Sequence, residues 1–216
     1  MSIKVKICCI ASEDEAQMAI NVGASALGLV AKMPSGPGPI SDEKIMAIAT
    51  TIPSHIDSFM LTSETKATKI IQHHKRTLTN TIQIVDAISE GTYRDIRIEL
   101  PSIKIVQVIH VIDENSIEEA LRIAELVDVL LLDSGNPNAA IKELGGTGRT
   151  HNWHFSKRIV EQSTVPVFLA GGLHAGNVRD AIEKVNPYGI DLCSGVRTNG
   201  NLDLYKLESF FEAVNS

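Results

Sequence analysis

Short apolar runs rich in β-branched residues alternate along this chain with longer runs whose apolar positions recur every three or four residues. The first kind predicts strands at Ile3–Ile10, Ala26–Ala31, His55–Leu61, Thr81–Val85, Ile103–His110, Asp128–Asp133, Val165–Ala170 and Gly189–Cys193. The second predicts helices near 13–22, 42–51, 64–75, 88–98, 115–126, 152–163, 175–185 and 203–214. Gly91 and nearby β-branched residues weaken the fourth helical pattern. Helix starts carry their own signals. Ser12-Glu13-Asp14-Glu15 reads as an N-cap with a glutamate at the capping-box position. Ser41-Asp42-Glu43-Lys44 puts two acids into a first turn, where the helix dipole favours them. Eight strands and eight helices in strict alternation predict an α/β fold, a closed TIM (β/α)8 barrel occupying residues 1–216 as a single domain.

Composition narrows this picture. Hydrophobic residues make up 44% of the 216 positions but aromatics only 4%, so the core must be layered from Ile, Leu, Val and Ala. A net charge of −6 argues against general nucleic-acid or anionic-membrane binding and leaves room for one local phosphate site. No apolar run approaches the roughly 18–20 residues of a membrane-spanning helix. The opening Met1-Ser2-Ile3-Lys4-Val5-Lys6 alternates like a strand and lacks a signal-peptide pattern. Three cysteines without CxxC or paired-histidine spacing predict a reduced, cytoplasmic, metal-free chain, and the expected assembly is a monomer or homodimer.

The chemistry-bearing positions collect where the predicted strands end. Gly145-Gly146-Thr147-Gly148, Ala170-Gly171-Gly172-Leu173 and Ser194-Gly195-Val196 are glycine-bearing turns, the last two set between a strand and a helical pattern. Glycine lets a backbone N–H approach an anion closely, and barrels hold phosphate after their seventh and eighth strands. Two breaker-rich loops, Pro34–Pro39 and Ser134–Asn138, also follow strands and belong to the same rim. Strand alternation places Lys6 and Cys8 on one face, directed into the barrel, with their Cα atoms about 6.5–7 Å apart. A lysine so placed should lower the Cys8 pKa. Val5, Ile7 and Cys9 share the helix-facing side. Asp133 closes an aliphatic strand with inward parity, as a general acid or base would, though an aspartate there also caps loops. Asp191 reads as a support of the rim, and the histidines show no catalytic arrangement.

Together these motifs resemble the phosphoribosylanthranilate isomerase family. Lys6-Ile7-Cys8-Cys9-Ile10, Leu131-Leu132-Asp133, Gly145 to Thr150, Asn152-Trp153, Leu169 to Leu173, Asn177-Val178 and Asp191 to Val196 carry the likeness, which spans essentially the whole chain. The resemblance implies a cofactor-independent Amadori rearrangement in tryptophan biosynthesis acting on a phosphorylated small molecule. By the same resemblance Cys8 is the general base at C2′ and Asp133 the acid at the ring oxygen. Gly146, Gly171, Gly172, Ser194 and Gly195 contribute to phosphate binding, Lys6 tunes Cys8, and Gln83 remains from the fourth-strand motif.

The departures lie toward the aglycone. The arginine that precedes an Ile-Ser pair in the family is absent, since Pro37-Gly38-Pro39 runs into Ile40-Ser41. Val85-Asp86 replaces a His-Gly pair, Cys9 replaces a glycine, and Arg197 stands where the family has glutamate. Two expectations follow: Arg197 supplies the missing cation to the anthranilate carboxylate, or the chain acts on another phosphorylated sugar or amine. A non-catalytic phosphate-ligand-binding barrel is a third possibility, less compatible with retention of both Cys8 and Asp133.

Overall fold

The computed structural model describes residues 3–136, 139, 142–144 and 148–216. Its order is β1 (Lys4–Ile7), α1 (Glu13–Val22), β2 (Ala26–Val30), α2 (Asp42–Thr51), β3 (Asp57–Thr62), α3 (Ala67–Thr77), β4 (Thr81–Ile84) and α4 (Tyr93–Glu99). It continues with β5 (Lys104–His110), α5 (Asn115–Ala124), β6 (Val129–Asp133), α6 (Trp153–Gln162), β7 (Val167–Leu169), α7 (Val178–Val185) and β8 (Gly189–Leu192). A 3-10 turn at Ser194–Val196, a small hairpin β9 (Arg197–Thr198) and β10 (Asn201–Leu202), and α8 (Leu204–Asn215) complete it. Strands β1 to β8 pair in sequence order, and β8 returns to β1 to close the barrel.

Side-chain parity then produces two apolar shells. Val5, Ile7, Leu27, Leu29, Ile82, Ile84, Leu130, Leu132, Leu169 and Ile190 face outward and pack with the helices. Each fully buried Leu or Ile in that shell contributes about 1.5–3 kcal/mol. The alternate positions Ala26, Phe59, Leu61, Val106, Val108, Leu131 and Phe168 fill the barrel interior. Phe59 and Phe168 meet edge to face there, with centroids 6.2 Å apart. This plug beneath the mouth turns the barrel into a one-ended cup.

The helix starts show which local signals operated. Ser12 accepts from Glu15 N–H and Ser41 from Lys44 N–H, so both act as N-caps. The fourth helix begins at Tyr93, later than its apolar pattern predicts. Gly91 adopts φ +79°, and the chain enters the helix only after Thr92 and Asp95 form a reciprocal capping box. The first strand is shorter than predicted because Cys9 turns to φ +64°. That reversal breaks the alternation, so Cys9 joins the interior cluster beside Cys8 instead of facing the helices. It is joined by a disulfide to Cys193, with Cα atoms 5.9 Å apart. This corrects the expectation of a fully reduced chain: pairing of β1 with β8 brings together cysteines 184 positions apart. Among the described residues, no helix is long and apolar enough to cross a membrane.

Candidate active site

The C-terminal ends of the strands surround a cavity lined by Cys8, Gln83, Asp133, Gly171, Gly172, Asp191 and Ser194, among others. Its empty volume, with the open space at the mouth included, is about 740 Å³. Cys8 stands one residue beyond β1 and Asp133 is the last residue of β6, three strands away around the ring. The two groups therefore approach the cavity from different walls.

Lys6 lies beneath it. Its ammonium is fully buried, 2.9 Å from Asp191 Oδ1, and rests 5.0 Å from the centre of the Phe59 ring. Lys6 and Asp191 are register partners on β1 and β8. Gly28 on β2 makes room for this group, because a Cβ there would come within 2.7 Å of Cys8 Sγ and 3.1 Å of Lys6 Nζ. Burial opposes the Lys6 charge, yet Asp191 and Cys8 carry its pKa above the ordinary lysine value. Lys6 is thus a buried partner of Asp191, set under the cavity and outside its lining.

Cys8 departs from expectation in its acidity. Burial pushes its thiol up to about 11; Lys6 works in the opposite direction, and Asp191 adds to the rise. The lysine does favour the thiolate, but the desolvation it acts against is larger. Alkylation of Cys8 by iodoacetamide should accordingly keep accelerating about tenfold per pH unit from pH 7 through pH 10. A plateau at or below pH 9, where an ordinary thiol is half ionised, would contradict that environment. Asp133 is also held above the usual carboxylate range, chiefly by burial. The Ser134 N–H and His110 act against the shift, and Asp191 reinforces it. A shift in that direction favours the protonated form and suits a group that acts as an acid.

Across the mouth, Gly171 and Gly172 adopt φ +88° and +61°. A Cβ on Gly172 would lie 2.7 Å from the Arg149 carbonyl carbon, so the two rim loops can meet only over a glycine. Neither Gly171 N–H nor Gly172 N–H donates to an acceptor among the described residues. Ser194 lines the same wall, and Gly195 packs against Leu173 just behind it. Gly146 lies outside the described residues. Gln83 is buried in the opposite wall, and its Oε1 has no hydrogen-bond partner among the described residues.

Arg197 is elsewhere. Its guanidinium pairs with Glu15 and the Cys8 and Cys9 carbonyls, and it is absent from the cavity lining. This corrects the expectation that it offers a cation to a substrate carboxylate. Toward that end the described lining is apolar, with Val30, Met33, Leu61, Val85 and Leu144, and it includes no Lys or Arg. The Lys6–Asp191 pair was missed as a unit in the sequence, although aligning the first strand with the last would have revealed it. The Cys9–Cys193 link needed in addition the turn at Cys9, for which the sequence has no signal.

A (β/α)8 barrel with a buried thiol, a buried carboxyl and glycine turns around one mouth has the layout of a phosphate-ligand barrel enzyme working by acid and base. Comparison with known proteins narrows the class. Residues 5–213 match the family model described as N-(5'phosphoribosyl)anthranilate (PRA) isomerase. The N-(5'-phosphoribosyl)anthranilate isomerase of Methanosarcina acetivorans is 33% identical, covering 98% of this chain and 92% of that protein. Its counterpart from Nostoc punctiforme is 32% identical, covering 99% of both. The crystal structure of phosphoribosyl anthranilate isomerase from Thermotoga maritima superposes with a TM-score of 0.81 at 26% identity, covering 99% of this chain and 98% of that one. The chain belongs to the N-(5'-phosphoribosyl)anthranilate isomerase family.

Proposed function

We propose that this barrel isomerises N-(5'-phosphoribosyl)anthranilate to its 1-deoxyribulose phosphate by an Amadori rearrangement, with Asp133 as acid and Cys8 as base. One observation carries the residue assignment: the two groups that can exchange protons reach a single cavity whose rim bears the Gly171-Gly172 turn. The N–H groups of that turn, unpaired among the described residues and with Ser194 and Gly195 beside them, suit a phosphate dianion. The phosphate then fixes the sugar with its reacting carbons between the two walls.

In this reading Asp133 gives its proton to the furanose ring oxygen. The C1′–O bond breaks as the nitrogen lone pair forms an iminium. The positive charge acidifies the C2′ hydrogen and also favours loss of the Cys8 thiol proton to solvent at the mouth, offsetting the burial that raises its pKa at rest. Cys8 takes the C2′ proton, and the electron pair neutralises the iminium as an enaminol. Protonation at C1′ and loss of the hydroxyl proton at C2′ complete the ketose. Gln83 Oε1, unpartnered among the described residues, accepts from a substrate hydroxyl or amine and holds the sugar against the β4 wall.

Direct assay of the purified protein with the anthranilate compound, beside complementation of a strain lacking the isomerase, tests this function. Turnover and growth are expected. A folded protein that binds inorganic phosphate but fails in both would refute the assignment.

A further inference from the structure

We infer that Arg197 is a positioning residue for Cys8, acting through the backbone that presents the thiol. The inference rests on Cys8 being the base of the reaction just proposed. Arg197 begins the β9–β10 hairpin, two residues beyond Gly195. Its side chain is only 7% exposed. Nη2 donates to Cys9 O at 2.6 Å and to Cys8 O at 3.3 Å, and Nη1 donates to Gly200 O at 2.9 Å. The same guanidinium meets both Glu15 oxygens, at 3.0 and 3.2 Å. Glu15 in turn accepts from the backbone N–H groups of Ala11 and Leu202, at 2.9 and 2.8 Å. Those bonds carry the Glu15 carboxyl below its usual range even though burial alone would raise it.

One buried ion pair therefore grips the chain just past β1, at the start of α1 and at both ends of the hairpin turn. Its location explains why a grip is needed. Strand β1 ends at Ile7, and Cys9 reverses to φ +64°. The carbonyls of Cys8 and Cys9 thus lie beyond the regular ladder, where the next strand no longer holds them. Arg197 supplies the missing donors from a planar fork suited to several acceptors at once. The hairpin is itself anchored, since Lys206 Nζ donates to Arg197 O and Asp203 N–H to Val196 O. Base and proposed phosphate turn are consequently held at a set separation by Arg197 together with the Cys9–Cys193 disulfide.

The test compares Arg197→Ala, Arg197→Lys and Cys8→Ser with the unaltered protein. Steady-state kinetics on the anthranilate compound are measured across pH, the folded fraction by thermal melting, and Cys8 alkylation by iodoacetamide. Arg197→Ala should lower kcat about thirtyfold, since displacement of a reacting group by an ångström can cost about a hundredfold. KM should change less than about threefold, because substrate binding is not what the residue provides. The base limb of kcat/KM should move up by roughly half a pH unit as Cys8 drifts from Lys6. Arg197→Lys, with three donors but no fork, should recover activity to within about fivefold of the unaltered protein.

A raised KM at unchanged kcat would overturn the inference by making Arg197 a substrate contact. So would a kcat loss equal to the loss of folded protein with an unmoved pH profile, which is a stability effect alone. Near-normal turnover of Cys8→Ser would instead remove the base assignment. Alkylation then decides the positioning by itself, because Cys8 is the free thiol of the structure. A rate unchanged by Arg197→Ala would overturn it, and a changed rate would sustain it.

Discussion

Replacing Cys8 by serine should lower kcat at least about a hundredfold while leaving KM and competition by inorganic phosphate nearly unchanged. The hydroxyl occupies almost the same space beside Gly28 and Lys6, so the cavity persists. A serine at that position is a far weaker acid than the thiol, and the iminium cannot draw a comparable base from it. Asp133→Asn should produce a loss of similar size from the other wall. The amide can still accept the Ser134 N–H that Asp133 Oδ1 accepts at 2.7 Å, so the loop is kept. What it lacks is an acidic proton for the ring oxygen. Turnover within tenfold of the unaltered protein in either variant would remove that residue from the mechanism.

A different measurement responds to Lys6→Met. Removing the ammonium leaves Asp191, only 9% exposed at its side chain, as a buried carboxylate without its cation. Breaking a buried pair from one side costs about 3–5 kcal/mol. For a chain of this length that corresponds to a fall in Tm of roughly 6–20 °C. Methionine is the informative choice because its sulfur can take the place of the ammonium over the Phe59 ring. The double variant Lys6→Met with Asp191→Leu should recover most of the loss, since no unpaired charge remains. Urea melts of the three proteins check this. A single variant within about 1 kcal/mol of the original would show that Asp191 finds water or another partner.

The fold was largely legible because a barrel repeats one local rule. Each strand needs a β-branched apolar run, each helix a 3.6-residue stripe, and each transition a cap or a breaker, all local properties. Parity along β1 correctly aimed Lys6 and Cys8 inward, and parity along β6 aimed Asp133 at the mouth. Where a single backbone angle changed, parity failed. Cys9 reads as helix-facing by alternation and sits in the interior because of one left-handed φ.

Charge was harder to read than apolarity. A hydrophobic side chain needs only an interior, whereas an ion needs a particular partner. Glu15 has the spacing of a capping-box residue, yet its carboxylate goes to Arg197, Leu202 and Ala11. The acidity of Cys8 shows the same limit: a nearby lysine lowers it, but the extent of burial sets the sign of the net shift.

Taken alone, the chain determined its alternating elements, the closure of an aliphatic barrel and the strand ends where thiol, carboxyl and glycine turns would meet. These follow from periodicity and backbone preference, which act over a few residues. Tertiary structure decided which distant groups became partners: Lys6 with Asp191, Cys9 with Cys193, and Arg197 with Glu15 and the backbone of Cys8. Each of those pairings spans the seam where the last strand closes on the first. Their energies depend on burial and distance across that seam, quantities that exist only once the ring is closed.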